Sequence, residues 1–272
     1  PMFIFFSTNL PHGPVDIPPE ENTYAGSPAI RQAYGNASGT NRECSGAAEE
    51  YASMVDKLDR QVGAIVDQVR KLGLDKRTII IFSSDNGHEL YYRTDKGRGR
   101  GPDCHGGVLD GTGELLDVFR GSRGRVGPNN AMANLAGLKW TSHEGGIRVP
   151  LIISWPGTLT HGKVCHSLVA NYDHMASFAD LAGIRMPEGK DAVSYMDILS
   201  GNSSRQRDYV VVDHTVITGD GWKLTQKQNK PFLFHIGRDP EERNNLAGTR
   251  KDQLEKLRAI YRKEVGSPRK DR

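Results

Sequence analysis

Apolar residues recur every three or four positions between residues 47 and 72, which predicts the longest helix of the chain. The apolar stripe consists of Tyr51, Met54, Val55, Leu58, Val62, Ile65, Val66, Val69 and Leu72. Gly73 follows directly and is expected to end the helix, because glycine adopts the left-handed backbone of a C-terminal cap at little cost. A shorter helix is predicted over residues 174–182, with Gly183 in the same capping position.

Short runs of apolar residues predict strands at residues 2–7, 79–82 and 149–156. The first two runs are almost uninterrupted, as in strands that are buried on both faces of a parallel sheet. A long helix followed by such a strand is half of a βαβ unit. The pattern therefore predicts an α/β domain over residues 1–200, with a mostly parallel sheet flanked by helices.

The pattern changes after residue 200, where predicted strands follow one another closely. They cover residues 208–213, 223–225 and 231–236. An amphipathic helix over residues 250–265 comes last, and its apolar face carries Leu254, Leu257 and Tyr261. Consecutive strands followed by a helix are typical of an α+β arrangement, so we expect a small subdomain with antiparallel strands over residues 201–272.

Residues 88–137 fit neither pattern. Glycine is frequent there, and arginine and lysine punctuate the segment, which predicts a long irregular insertion. Loops of this length inside a compact domain are usually functional or disordered. The positive charge could contact an anionic substrate, and a solvated flexible loop explains the same charge equally well.

Composition and charge exclude several classes of protein. Hydrophobic residues make up 36% of the 272 positions, which is enough for a folded core and excludes wholesale disorder. The net charge of +3 does not suggest a dedicated nucleic-acid-binding protein, and no apolar run reaches the roughly 18 residues of a membrane helix. The three cysteines form no CxxC pair, so neither a zinc site nor a disulfide framework is indicated.

Three loops carry polar side chains that could perform chemistry. Asp85 and Asn86 directly follow a predicted strand, at the end where α/β sheets bind ligands. Their side-chain oxygens suit Ca²⁺ or Mg²⁺, and a simple turn is the alternative interpretation of the same residues. His12 lies in a proline-rich loop, where an imidazole can act as acid or base or simply lie at the surface. Lys139 is a mobile cation suited to a phosphate or sulfate oxygen, and a solvated loop lysine is the alternative.

The order of these segments resembles the sulfatases of the alkaline-phosphatase-like superfamily. The resemblance rests on PHGP (residues 11–14), TIIIFSSDNG (78–87), KWTSHEGGIRVPLIISWPG (139–157) and DPEERNNLA (239–247), in this order. SDNG alone is a weak signal, whereas the last two segments are specific. The resemblance covers about residues 3–257 and implies hydrolysis of sulfate esters by a mixed, mostly parallel sheet with flanking helices.

The resemblance also implies roles for single residues. Asp85 and Asn86 match the family's pair of ligands for a divalent cation, usually Ca²⁺, with Mg²⁺ the less favoured ion. Lys139 matches the sulfate-binding lysine, and His12 matches the histidine near the leaving oxygen. In sulfatases the metal and the basic groups neutralise the sulfate ester while a hydrated formylglycine attacks the sulfur. Two residues beside these motifs are further pocket candidates: His88 and His143.

Two elements of the family pattern are missing from this sequence. Formylglycine arises within a C-x-P-S-R or S-x-P-S-R segment, and neither that segment nor the family's Asp-Asp metal pair is present. Both normally precede the PHxP loop, which here begins at residue 11. We therefore expect the chain to be the C-terminal portion of a sulfatase, inactive by itself and with weak or no calcium binding.

Two other functions stay open at this point. One is a nucleophile-less, sulfatase-like module that binds sulfated glycans. The other is a phosphoesterase or phosphotransferase of the same superfamily, which the EGGIRVP and DPEERNNLA segments disfavour. The implied partner is a sulfate-ester small molecule or a sulfated glycan. The resemblance implies a periplasmic, secreted or lysosomal location, and no targeting signal is visible in the sequence.

Overall fold

The computed structural model describes residues 2–12, 17–30, 42–87, 135–136, 139, 141–201, 207–227 and 230–266. The chain divides into two units. The first comprises residues 1–78 and 87–141, and the second comprises residues 79–86 and 142–272. Most of the insertion predicted at residues 88–137, including His88, lies outside the described residues. The predicted boundary between domains at residues 200 and 201 stays a prediction.

The first unit contains the long helix α1, Arg42–Lys71, which confirms the helix predicted from the apolar stripe. It ends at Gly73, whose φ of 66° lies in the left-handed region. The Leu74 N–H donates to the Val69 carbonyl (3.0 Å), and the Gly73 N–H donates to the Arg70 carbonyl (2.9 Å). These two bonds are those of a Schellman cap, so the predicted capping role of Gly73 is confirmed. None of the described helices is both long and apolar enough to cross a membrane.

A polar segment, residues 17–30, is hydrogen-bonded to two buried side chains of α1. The Ser53 hydroxyl accepts a hydrogen bond from the Tyr24 N–H (3.0 Å), and the Glu49 carboxylate accepts one from the Gly26 N–H (2.9 Å). Buried backbone N–H groups need such partners, because leaving one unpaired costs free energy. Two side chains of α1 therefore supply hydrogen-bond acceptors for backbone N–H groups of this segment.

The strand predicted over residues 2–7 is not formed. Residues 2–9 have no regular secondary structure, and no described strand pairs with them. Their large apolar side chains are 54% to 81% exposed: Met2, Phe3, Ile4, Phe5 and Phe6. An apolar run predicts burial only if neighbouring strands take up its backbone hydrogen bonds, and the run itself does not reveal whether such neighbours exist.

In the second unit, strands β1, Ile80–Ser83, and β2, Leu151–Ser154, confirm two of the predicted strands. They pair antiparallel, with Ile80 opposite Ser154. The expectation of parallel strands therefore fails for this pair, and the described residues contain no parallel sheet. Hydrophobic pattern reports burial and not direction, because the direction depends on how the long connection between the strands returns.

Three short helices accompany these strands: α2, Glu144–Ile147; α3, Asp173–Leu181; and α4, Met196–Ser200. Helix α3 confirms the predicted second helix. Gly183 has a φ of 66° and closes it, because the Ile184 N–H donates to the Ala179 carbonyl (2.8 Å) in the manner of a Schellman cap.

The last part of the second unit is a four-stranded antiparallel sheet covered by a helix. Its strands are β3, Tyr209–Val212; β4, Thr215–Thr218; β5, Trp222–Lys227; and β6, Lys230–His235, in that order. Helix α5, Lys251–Val265, packs on one face, and the shared core consists of Val216, Leu224, Leu233, Leu254, Leu257 and Tyr261. The predicted antiparallel α+β arrangement is confirmed, although β4 was not predicted.

Alternation along β5 places two neighbouring residues on opposite faces of this sheet. Leu224 belongs to the apolar core under α5. Lys223 is also fully buried, and side chains alternate along a strand, so its ammonium lies on the face away from α5. A buried lysine on the second face requires anionic partners there.

Candidate functional site

The first unit brings two of the predicted site residues into contact. Lys139 Nζ lies 2.8 Å from His12 Nε2, although 127 positions separate the two residues in the sequence. An ammonium can only donate, so the Nε2 atom accepts, and the proton of the neutral ring is then assigned to Nδ1. Sequence pattern alone could not supply this distance.

A cation beside a neutral imidazole is suited to the chemistry of an anionic ester. His12 is exposed and Lys139 is half-buried, so a ligand can reach both side chains. A positioned ammonium stabilises negative charge on an oxygen, and an imidazole can move a proton. The described part of this unit therefore contains one group that can hold an anion and one that can transfer a proton.

Asp85 and Asn86 form a hydrogen-bonded turn at the end of β1 in the second unit. The Asp85 carboxylate accepts from the Asn86 N–H (2.9 Å), and the Ser84 hydroxyl donates to the Asn86 carbonyl (2.9 Å). The Asn171 amide adds a bond to the Ser84 carbonyl (2.9 Å). The turn interpretation of this segment is thus realised, and Asp85 remains exposed at its tip.

The donor set of this turn fits a hard cation but does not complete a site. Carboxylate and amide oxygens are the ligands that Ca²⁺ prefers, and it takes about six to eight of them. No group of three or more His, Cys, Asp or Glu residues that could hold a metal ion occurs in the part of the chain that the structure describes. Calcium binding by Asp85 and Asn86 therefore stays a prediction.

His143, the other pocket candidate, belongs to a cluster of charged residues that we call the buried charge cluster: His143, Glu144, Lys223 and Glu242. Lys223 Nζ donates to Glu144 Oε1 (3.0 Å) and to Glu242 Oε1 (2.7 Å). Glu242 Oε1 also accepts the backbone N–H of Glu144 (2.8 Å), and Glu242 Oε2 contacts His143 Nδ1. The cluster joins the start of α2, strand β5 and the loop after β6.

The burial of this cluster makes its pairing energetically important. Lys223 and Glu242 are 0% exposed and Glu144 is 3% exposed. Burial alone would raise the pKa of the Glu242 carboxyl, but the His143 hydrogen bond and the Lys223 charge outweigh burial and hold that pKa below its usual value. The carboxylate form of Glu242 is therefore the stable one in the folded protein.

A second buried ion pair lies at the start of α3. Asp173 is fully buried, accepts hydrogen bonds from the Ala170 and Val193 N–H groups (2.8 and 3.0 Å), and pairs with Arg207. Its neighbour His174 contacts the Tyr195 hydroxyl through Nδ1 (2.8 Å), and burial lowers the pKa of this imidazole. This arrangement fixes α3 to the chain before β3.

Sequence reasoning missed Lys223 and Glu242. A weak signal existed for Lys223, since it stands between Trp222 and Leu224 in a predicted strand, where a charged residue on a buried face would need partners. Glu242 lies within the DPEERNNLA segment, yet nothing in its spacing indicates that its side chain would meet residues 98 and 99 positions earlier.

Family profiles match the chain along most of its length. The profile described as Sulfatase matches residues 1–184. The profile described as N-sulphoglucosamine sulphohydrolase, C-terminal, matches residues 139–270.

Three curated relatives illustrate the similarity. The N-acetylgalactosamine-6-sulfatase of Sus scrofa is 25% identical over 77% of this chain and 41% of its own length. The N-acetylgalactosamine-6-O-sulfatase of Bacteroides thetaiotaomicron is 26% identical over 70% of this chain and 37% of its own length. The arylsulfatase of Klebsiella aerogenes is 32% identical over 49% and 29%, respectively. The chain thus spans less than half the length of these relatives.

Solved structures share the fold. The crystal structure of Ps i-CgsB superposes with a TM-score of 0.61 at 21% identity, covering 93% of this chain and 48% of the other. BT4656, solved with its substrate D-glucosamine-2-N,6-O-disulfate, gives a TM-score of 0.54 at 19% identity, covering 81% and 42%. These superpositions confirm the expected alkaline-phosphatase-like α/β fold. Because the Sulfatase profile spans more than half of the chain, and its match includes the PHGP, SDNG and EGGIRVP motifs, the chain belongs to the sulfatase family.

Proposed function

We propose that this protein hydrolyses sulfate esters, with Lys139 binding a sulfate oxygen and His12 transferring a proton at the leaving oxygen. The 2.8 Å contact between Lys139 Nζ and His12 Nε2 is the observation that carries this proposal. A fixed ammonium offsets the charge on the sulfate oxygens, and the adjacent imidazole can protonate the oxygen that departs. A mostly parallel central sheet is part of the same proposal.

Asp85 and Asn86, at the end of β1, would supply two of the oxygen ligands of a calcium ion. When bound, the ion would withdraw negative charge from the sulfate group. The nucleophile of the reaction is proposed to be a formylglycine outside the residues of this chain, because its C-x-P-S-R segment does not occur in the sequence. The proposal therefore concerns the full-length product of the gene.

A sulfated glycan is the proposed class of substrate. Two of the three curated relatives named above are N-acetylgalactosamine-6-sulfatases, and Ps i-CgsB has also been solved in complex with a neocarrahexaose. A periplasmic, secreted or lysosomal location would fit such substrates and is part of the proposal.

The decisive experiment replaces Lys139 with alanine in the full-length gene product and measures hydrolysis of an aryl sulfate. Removing a charge-stabilising donor typically costs about 10²–10³ in rate, so the Lys139→Ala variant should lose activity on this scale. Lys190→Ala, which removes an exposed lysine elsewhere on the chain, is the matched control and should leave the rate unchanged.

Two outcomes would contradict the proposal. An unchanged rate in Lys139→Ala would remove this lysine from the site. Binding of sulfated glycans without release of inorganic sulfate by the wild-type protein would favour the binding module instead.

A further inference from the structure

Glu242 fixes the protonation pattern of the His143 ring. Its Oε2 atom contacts His143 Nδ1, and an ionised carboxylate can only accept a hydrogen bond. His143 therefore donates through Nδ1–H, and the neutral ring keeps its lone pair on Nε2. In a neutral histidine, the hydrogen bond made by one ring nitrogen decides which nitrogen carries the proton. The contact with Glu242 therefore selects the Nδ1–H tautomer of His143.

The carboxylate that selects this tautomer cannot turn away. Its other oxygen, Oε1, accepts hydrogen bonds from the Glu144 N–H (2.8 Å) and from Lys223 Nζ (2.7 Å). Glu242 and Lys223 are both fully buried, so water does not compete for these bonds. Hydrogen bonds to both carboxylate oxygens consequently fix the orientation of the Glu242 side chain.

The backbone at Glu242 is also unusual. Its φ of 49° lies in the left-handed region, which is unfavourable for a residue that has a Cβ atom. The turn is held in place by Asp239, whose carboxylate accepts the Arg243 and Asn244 N–H groups (3.0 and 2.8 Å). Such strain is retained where the surrounding structure over-determines it, and strained residues cluster at functional sites.

His143 itself stays accessible. Its side chain is 19% exposed, and Nε2 has no hydrogen-bond partner among the described residues. The charged groups around it are the Glu242 carboxylate, Lys223 beyond that carboxylate, and Glu144, whose second oxygen lies 4.0 Å from Arg148 Nη1. A half-buried imidazole that donates one nitrogen to a buried carboxylate, and whose other nitrogen is unbonded within the described part of the chain, has the arrangement of a proton carrier.

We propose that His143 is a further proton-transfer residue of this protein, and that Glu242 is the positioning residue that keeps its Nδ1 protonated and its Nε2 available. The proton-transfer role of His143 rests on the proposed sulfatase function. In the step, Nε2 accepts a proton from a bound water or hydroxyl, whose oxygen keeps the bonding pair. The positive ring then lies against the Glu242 carboxylate, and the reverse transfer returns the proton to an oxygen.

Nuclear magnetic resonance tests the positioning role without any need for activity. The ¹⁵N resonances of the His143 ring distinguish the Nδ1–H from the Nε2–H tautomer. The wild-type chain should show Nδ1–H, and Glu242→Gln should lose this preference, because an amide can donate as well as accept. Glu241→Gln, which neutralises the neighbouring carboxyl, is the matched control and should leave the His143 resonances unchanged. An Nε2–H tautomer in the wild type, or an unaltered tautomer in Glu242→Gln, would overturn the positioning role.

Kinetics of the full-length protein test the proton-transfer role. His143→Asn keeps an N–H donor for Glu242 but removes Nε2, so it should preserve the melting temperature and lower kcat by about 10²-fold or more, with KM little changed. A merely structural histidine would leave kcat unchanged in this variant, which would overturn the role. If the wild-type protein hydrolyses no sulfate ester, the proposed function and the proton-transfer role both fail, and the resonance measurement still decides the role of Glu242.

Discussion

Replacing Lys223 with methionine isolates the charge of the buried charge cluster. Methionine has nearly the same volume as lysine, so the substitution leaves little empty space on this face of the sheet. The variant removes the ammonium that lies 3.0 Å from Glu144 Oε1 and 2.7 Å from Glu242 Oε1. Two buried carboxylates are then left facing each other without their shared cation.

The magnitude follows from the burial of all three groups. Removing one partner of a buried ion pair destabilises a protein by about 3–5 kcal/mol, because the remaining charge is left uncompensated. Lys223 and Glu242 are fully buried, so solvent screening does not reduce this figure. At about 2–4 °C per kcal/mol for a chain of this size, the melting temperature should fall by on the order of 10 °C.

Urea unfolding followed by tryptophan fluorescence measures this loss. Trp222 is adjacent to Lys223 and packs edge-on against His235, with ring centroids 5.0 Å apart, so it reports on this part of the sheet. Lys256→Met changes an exposed lysine of α5 in the same way and should alter the free energy of unfolding by no more than about 0.5 kcal/mol. The double variant Lys223→Met with Glu242→Gln should lose less than the sum of the single losses, since it removes one of the uncompensated charges.

A loss in Lys223→Met that is no larger than in Lys256→Met would refute this reasoning. It would mean that water or a neighbouring cation compensates the two carboxylates, so that the cluster is not sealed in the folded protein. Additivity in the double variant would likewise contradict a direct interaction between Lys223 and Glu242.

Two further predictions concern pH and packing. The pKa of Glu242 is lowered in the folded protein, so its contribution to stability is present above the ordinary glutamate pKa and is lost as the pH falls through the folded value. The pKa of His174 is also lowered in the folded protein, so the unfolded chain takes up a proton first, and stability should begin to decline below about pH 6.5. Unfolding curves between pH 7 and pH 3 check this, and a stability that rises on acidification would contradict it. Leu257→Ala in the core under α5 should cost about 2–5 kcal/mol in the free energy of unfolding, whereas Ala259→Gly on the exposed face of the same helix should cost only about 1 kcal/mol. Equal losses would show that α5 does not seal this core.

Local pattern by itself determined the three longest helices, the glycine caps of α1 and α3, and the family. The apolar stripe of α1 and the glycines after α1 and α3 act within a few residues, so periodicity and capping chemistry were sufficient to predict them. The order of the PHGP, SDNG, EGGIRVP and DPEERNNLA segments was likewise readable without coordinates, and the Sulfatase profile confirms the family that they indicated.

Only the tertiary structure decided where strands find neighbours and where charges are buried. The apolar run at residues 2–7 is exposed and β1 pairs antiparallel, because a strand's burial and direction depend on segments far away in the sequence. The contact of His12 with Lys139 and the burial of Lys223 between two glutamates also join distant positions. A residue's type shows which partner it needs, but the fold decides whether that partner lies within about 3 Å of it.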